Sequence, residues 1–281
     1  MARILIAGCG YVGEAAADYF HANGWEVEGW TASAGSAAKL AGRPYLVHAV
    51  DIIDREAIAE GRASARPGHA DFDVAIHCAS THGGDEEQYR RLYLEGATNL
   101  RRAFPNATLI FTSSTSVYAQ KDGALVEETS AAQPAHRKGK LLRETEALVL
   151  ASGGMVARLG GIHGPGRSYF LKRILEGGVV GSRGHDRLIN HVHRDDIVTA
   201  LFLLAEKRSQ CSGQIYNVVA DQPISAGEAL QWLATRLKKS LPEASDSPRE
   251  GTRAETNKHV SNRKLRALGW RPRYPTFDSA M

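Results

Sequence analysis

A chain of 281 residues, 43% hydrophobic and 23% charged, has the balance of a folded protein of two domains or one large α/β unit, which excludes wholesale disorder. No apolar run approaches the roughly 18 residues of a membrane-spanning helix, and the three cysteines (Cys9, Cys78, Cys211) are too scattered for a disulfide framework or a zinc site. The formal charge of +4 is spread out, and its densest stretches, 137–140 and 258–273, carry no interleaved aromatic pattern. No metal, nucleic acid or membrane is therefore expected. The start of the chain runs directly into a glycine loop, leaving no room for a secretory leader, so a cytoplasmic protein with a mildly basic surface is the expectation.

Taken in chain order, residues 4–7 are a buried-strand run and 12–22 a helix. Strands follow at 26–30, 45–50, 74–78 and 108–112. Between the last two, Tyr89, Leu92, Tyr93, Ala97 and Leu100 recur at helical spacing and predict a helix over 85–104. A helix over 140–151 leads to a strand at 155–158. This alternation predicts βαβ units and an α/β fold with a Rossmann-type, doubly wound parallel sheet. After Gly160 the texture changes. Residues 160–167 read as a loop, 177–187 as a glycine-rich connection, 195–207 as a helix, 215–219 as a strand and 246–257 as a polar surface loop. The expected organisation is a dinucleotide-binding domain over 1–165, with 195–220 returning to it, and a smaller substrate-binding lobe over 166–281. There is no internal repeat.

Gly8-Cys9-Gly10-Tyr11-Val12-Gly13 follows the first strand and opens the first helix. In that context the spacing has a physical meaning. Gly8 allows the tight turn, Gly10 lets backbone approach a pyrophosphate, and Gly13 lets helix and strand pack closely. Backbone N–H groups from Gly10 to Gly13, with Tyr11 and Val12 between them, then face the phosphates. The second strand leads to Thr31 and Ser33, where NAD-specific proteins place an acid on the adenosine ribose. No carboxylate stands there to repel a 2′-phosphate, and both hydroxyls are potential donors to one. NADP is expected ahead of NAD.

At this point the chain resembles the extended short-chain dehydrogenase/reductase family, the group of NAD-dependent epimerases and dehydratases. Asp51-Ile52 matches that family's acid near the adenine, and His77-Cys78-Ala79-Ser80 its fourth-strand end beside the cofactor. Thr112-Ser113-Ser114-Thr115-Ser116-Val117-Tyr118-Ala119 resembles its fifth-strand signature, with Ala119 in place of a glycine. Residues 158–167, 192–197, 213–218 and 268–272 resemble its later elements. The resemblance implies cofactor contacts from Gly8, Gly10, Tyr11, Val12, Gly13, Asp51, Ile52, Ala79 and Ser80, and a substrate-polarising hydroxyl at Ser114.

One departure stands out. The family's proton-transfer pair is spaced Tyr-x-x-x-Lys, and aligning Gly139 and Glu146 places Lys138 and Leu142 at those two positions. No tyrosine occurs between Tyr118 and Tyr169, so the pair is absent rather than displaced. In this the chain resembles the family's atypical, YeeZ-like members. His82, just past the fourth strand, is the candidate proton donor beside Ser114, and His163 is a second candidate. Lys138 is read as a solvated helix-start cation and His193 as a structural anchor. Arg187 and Ile189 do not reproduce the family's arginine for nucleotide-sugar phosphate. Two functions remain open. One is an oxidoreductase or epimerase-like enzyme acting on a small polar carbonyl compound or sugar derivative. The other is a non-catalytic NADP(H)-binding sensor or scaffold. A homodimer is compatible with both.

Overall fold

The computed structural model describes residues 1–63, 71–81, 83–175, 180–181, 186–241, 244–245 and 256–280. The first strand, β1 (Arg3–Ala7), is apolar on both faces, with Ile4, Leu5, Ile6 and Ala7 wholly buried. A strand without a polar face must be covered on both sides, the situation of a parallel sheet flanked by helices. With β2 (Glu26–Thr31), β3 (Leu46–Ala49), β4 (Val74–His77), β5 (Thr108–Ser114), β6 (Met155–Leu159) and β7 (Ile215–Val218) it forms a seven-stranded sheet in the order β7-β6-β5-β4-β1-β2-β3. Ile4 lies opposite both Val27 and Val74, and the β1–β2, β1–β4, β2–β3 and β4–β5 pairs are all parallel. The chain starts in the middle of the sheet and winds outward both ways. Strand order therefore reverses between β1 and β4, and ligands of such sheets bind beyond the carboxyl ends of the strands at that reversal.

Helix α1 (Tyr11–Ala22) buries Val12, Gly13, Ala16, Ala17 and Phe20, a stripe at helical spacing. Two helices outside the sequence reading, α2 (Ala34–Ala38) and α3 (Arg55–Ala63), follow β2 and β3. The helix expected at 85–104 is α4, running over 86–103 with a π-helical turn at Arg90–Glu95 between its two α-helical parts. Its start is fixed by a capping box in which Asp85 and Gln88 satisfy each other's backbone N–H.

Helix α5 (Arg137–Ala151) begins three residues before its expected start. Its first turn holds no acidic residue, so the usual start signal is missing. Further along α5, the wholly buried Glu146 accepts from Ser113 Oγ of β5 at 2.6 Å and from Arg158 of β6 at 3.0 and 2.7 Å. Arg143 also pairs with it. One carboxylate thus ties two strands and a helix together.

The chain divides into two compact units. The first comprises Met1–Ser114, Arg137–Arg158 and Val198–Tyr216, the second Thr115–His136, Leu159–Ile197 and Asn217–Met281. Residues 115–136 and 159–165 fall in the second unit, where the sequence reading placed all of 1–165, with 195–220 returning, in the first. The reason is local pairing: Leu125–Val126 pairs in parallel with His259–Val260, and Gly161–His163 with His191–His193. The second unit has its own apolar cluster, built by α6 (Tyr169–Leu175), Phe277 and the later helix Ala226–Leu237. Helix α7 (Arg194–Glu206) matches its expected span to within a residue. The expected connection at 177–187 and loop at 246–257 lie mostly outside the described residues.

Candidate dinucleotide site

The glycine loop leaves β1 at the strand-order reversal, and the chain leaving β4 meets it there. Gly8 has φ +106°, and a Cβ on it would stand 2.3 Å from the backbone nitrogen of Ala79. No other residue fits. At Gly13 a Cβ would lie 2.1 Å from the carbonyl oxygen of Gly8, so α1 packs on the loop only because that side chain is missing. Gly10 differs. It is exposed, and no heavy atom lies within 4 Å of where its Cβ would be. Two glycines are required by the protein's own packing, and the middle one leaves open space before the start of α1. That space and the N–H groups of α1 suit a pyrophosphate.

The neighbouring candidates sit at carboxyl ends of strands along the same edge. Asp51 follows β3 and accepts from the Ile53 N–H at 3.1 Å, while Ile52 is buried and its carbonyl accepts from Asn99 at 3.0 Å. Asn99 also accepts from Arg55 Nε at 3.1 Å, so α4 holds this turn in place. After β4, Ala79 is half-buried and Ser80 exposed. After β2, Thr31 is only 7% exposed and its Oγ1 donates to the Ser33 carbonyl at 3.2 Å. Ser33 Oγ caps α2, accepting from the Ser36 N–H at 3.3 Å, and lies at the surface. Of the two residues, Ser33 is the exposed one.

Two thiols lie beside the loop. Cys9 packs against Gly29, where a Cβ would meet its sulfur at 2.5 Å, and burial pushes the Cys9 thiol up to about 12. Cys78 donates to the Gly8 carbonyl at 3.3 Å, and burial raises it as well. Both are packing groups at neutral pH.

On β5, Ser113 turns inward to Glu146, so alternation places Thr112 and Ser114 on the opposite face. Thr112 Oγ1 donates to the His77 carbonyl at 3.1 Å, and Ser114 stands half-buried at the strand's carboxyl end. His82 lies outside the described residues. His163 is no proton donor at neutrality. Its buried ring packs 5.2 Å from the ring of His191 and 5.5 Å from that of His193, and burial with those neighbours holds it near 4. His193 stacks 3.9 Å from the Tyr274 ring and accepts the Asp195 N–H at 3.2 Å through Nδ1, an anchoring arrangement.

Lys138 stands in the first turn of α5. It is half-buried, with Nζ 5.3 Å from the ring centroid of Tyr89. Leu142 is buried one turn further on. The buried Lys258, which the sequence reading passed over, donates to the Tyr118 carbonyl at 2.7 Å and to Thr256 Oγ1 at 3.0 Å. Among the described residues no group of three His, Cys, Asp or Glu side chains is arranged to hold a metal ion. No described helix is long and apolar enough to cross a membrane.

A doubly wound sheet with an open glycine loop at its strand-order reversal defines a protein of the dinucleotide-binding class. The chain belongs to the NAD dependent epimerase/dehydratase family, whose pattern matches residues 4–219. The protein YeeZ of Escherichia coli K12 is 30% identical over 230 residues, covering 78% of each chain. UDP-glucose 4-epimerase of Thermus thermophilus, solved with NAD, superimposes with a TM-score of 0.82 at 22% identity, covering 99% of this chain and 96% of that one. The dTDP-glucose 4,6-dehydratase of Bacillus anthracis, also in complex with NAD, gives a TM-score of 0.81 at 16% identity, covering 100% and 94%. At these identities the two structures establish the shared fold.

Proposed function

We propose that this chain binds a nicotinamide dinucleotide, NADP ahead of NAD, and acts as an oxidoreductase or epimerase-type enzyme on a small polar carbonyl compound or sugar derivative. The observation that carries the reading is the contrast among the three glycines. Gly8 and Gly13 are forced by internal contacts, whereas Gly10 faces open space at the sheet's ligand edge. Gly8 to Gly13 would hold the pyrophosphate, Ser33 with Thr31 behind it the adenosine ribose, Asp51 and Ile52 the adenine, and Ala79 and Ser80 the nicotinamide half. Bound there, the cofactor supplies or accepts hydride. The chain's own task is to steady the substrate oxygen, and Ser114 at the end of β5 would donate to it. His82 is kept as the proton donor in this reading. The protein is soluble and cytoplasmic in the same proposal, working alone or as a homodimer.

Leu142, buried where the family's lysine aligns, supports a second reading, a non-catalytic NADP(H) sensor or scaffold. The two are separated by titrating NADPH and NADH calorimetrically and then screening NADPH oxidation across carbonyl compounds. NADPH is expected to bind more tightly, with Thr31→Asp reversing the order because a carboxylate repels the 2′-phosphate. Ser114→Ala is expected to lower turnover ~10²–10³-fold with cofactor affinity intact. Absence of binding by either cofactor would overturn both readings. Tight NADPH binding without turnover of any carbonyl compound would leave the sensor.

A further inference from the structure

We propose that Lys138 determines substrate specificity, selecting a molecule that carries an anionic group, a carboxylate or a phosphate, near the oxygen that Ser114 serves. The inference rests on the catalytic reading above and names its substrate class. Four basic residues lie in the first two turns of α5, and three are accounted for. Arg137 Nε stands 3.6 Å from Glu86 Oε2, Arg143 pairs with Glu146, and Lys140 is exposed to water. Lys138 is half-buried, and among the described residues its one charged, hydrogen-bonding or ring partner is the ring of Tyr89. The face of that ring holds the ammonium in place through its quadrupole but accepts none of its three N–H bonds. No carboxylate stands beside the ammonium among the described residues, so an incoming anion would be its counter-ion there.

The placement is that of a ligand contact. β4 and β5 run parallel and leave the sheet at one edge, and α4, which carries Tyr89, starts shortly after β4. α5 ends close before β6 begins, which puts its last turn at the amino edge. Its first turn, about 20 Å away along the helix, is therefore at the carboxyl edge, with Ser114. α5 packs on both β5 and α4, and the Arg137–Glu86 pair fixes the two helix starts together. Tyr89 is thus a positioning residue for Lys138. A neutral sugar hydroxyl would leave the ammonium without a counter-ion, whereas a sugar acid or sugar phosphate supplies one.

The test is binding, measured by calorimetry and saturation-transfer NMR on the full chain saturated with NADPH. The probes are D-glucuronate, D-glucose 6-phosphate and D-glucose, each at low and high salt. At least one charged probe is expected to bind tenfold or more tightly than glucose, with the advantage shrinking at high salt. The stronger of the two identifies carboxylate or phosphate. Lys138→Met should abolish the difference and Lys138→Arg should retain most of it, with Tyr89→Leu falling between. NADPH affinity should stay within twofold in every variant, so failure of the cofactor site would show separately, as lost NADPH binding in the wild type. Equal affinity for charged and neutral probes, including no binding by any of them, would overturn the proposal. So would a charged-probe preference that survives in Lys138→Met.

Discussion

A glycine is informative when the structure says what its missing side chain would strike. Gly13→Ala would drive a Cβ to 2.1 Å from the Gly8 carbonyl, on the glycine loop, and 3.0 Å from Cys78 Sγ, just after β4. Overpacking of this kind costs ~1–3 kcal/mol, and rigid backbone on the receiving side puts this site at the upper end. Gly10→Val strikes nothing, and Gly10 has an ordinary φ of −94°. Its thermal midpoint should match the wild type while NADPH binding disappears. Melting curves and calorimetric titrations on the two variants therefore move in opposite ways: stability falls in one, affinity in the other. If Gly10→Val binds NADPH normally, the pyrophosphate does not lie on this loop.

Among the elements, the helix Ala226–Leu237 shows how a cap supports a core. Ser225 Oγ accepts the Glu228 N–H at 3.1 Å and Glu228 accepts the Ser225 N–H at 2.9 Å, and the second of these bonds helps to hold the Glu228 carboxyl below its usual range. The helix buries Ala229, Leu230, Leu233 and Ala234 against Phe170, Ile174 and Phe277. Ser225→Ala should cost about 1 kcal/mol, read as a shifted urea midpoint. An unchanged midpoint would show that packing alone sets this helix. The cap is a four-residue pattern that a local reading can find. The same locality explains why β1, β2, β4 and β6 match their expected spans to within a residue: each is a contiguous buried run. It also explains the misses. The π-helical turn lies among apolar positions (Tyr89, Leu92, Tyr93, Ala97, Leu100) whose spacings of three and four an unbroken α-helix would show as well, and two-residue strands such as Leu125–Val126 are too short to show a period. The glycine loop was legible because its six residues are consecutive. Lys138 on Tyr89, and Lys258 on Tyr118, join residues far apart in the chain, so no window along the sequence contains them.

At the scale of the whole molecule, buried histidines make both units sensitive to acid. In the first, His77 is wholly buried between Tyr93 and Phe111 with Nε2 3.0 Å from the Leu92 carbonyl, and burial holds it down to about 4. In the second, His163 and His191 are likewise held near 4 by burial, packed with His193 and Phe277. Asp278 and the Gln222 carbonyl face His191, and Asp195, Asp196, Arg194, Arg273 and Tyr274 surround His193. An unfolded histidine titrates at ~6.5, so between pH 6.5 and 4 the unfolded chain binds more protons than the folded one. Stability is then complete above pH ~6.5 and is lost as the pH falls toward 4, where these rings take up their protons in the folded chain. Asp196, raised by burial, titrates in the opposite sense and offsets part of the loss at the acid end. Urea unfolding at pH 7 and pH 4.5, followed through Trp25 and Trp30 in one unit and Trp232 and Trp270 in the other, should show both units weakening. His163→Phe should flatten the pH dependence of the second unit and leave that of the first intact. A second unit that keeps its full pH slope in His163→Phe would mean that the ring takes up its proton over the same pH range in the folded and the unfolded chain.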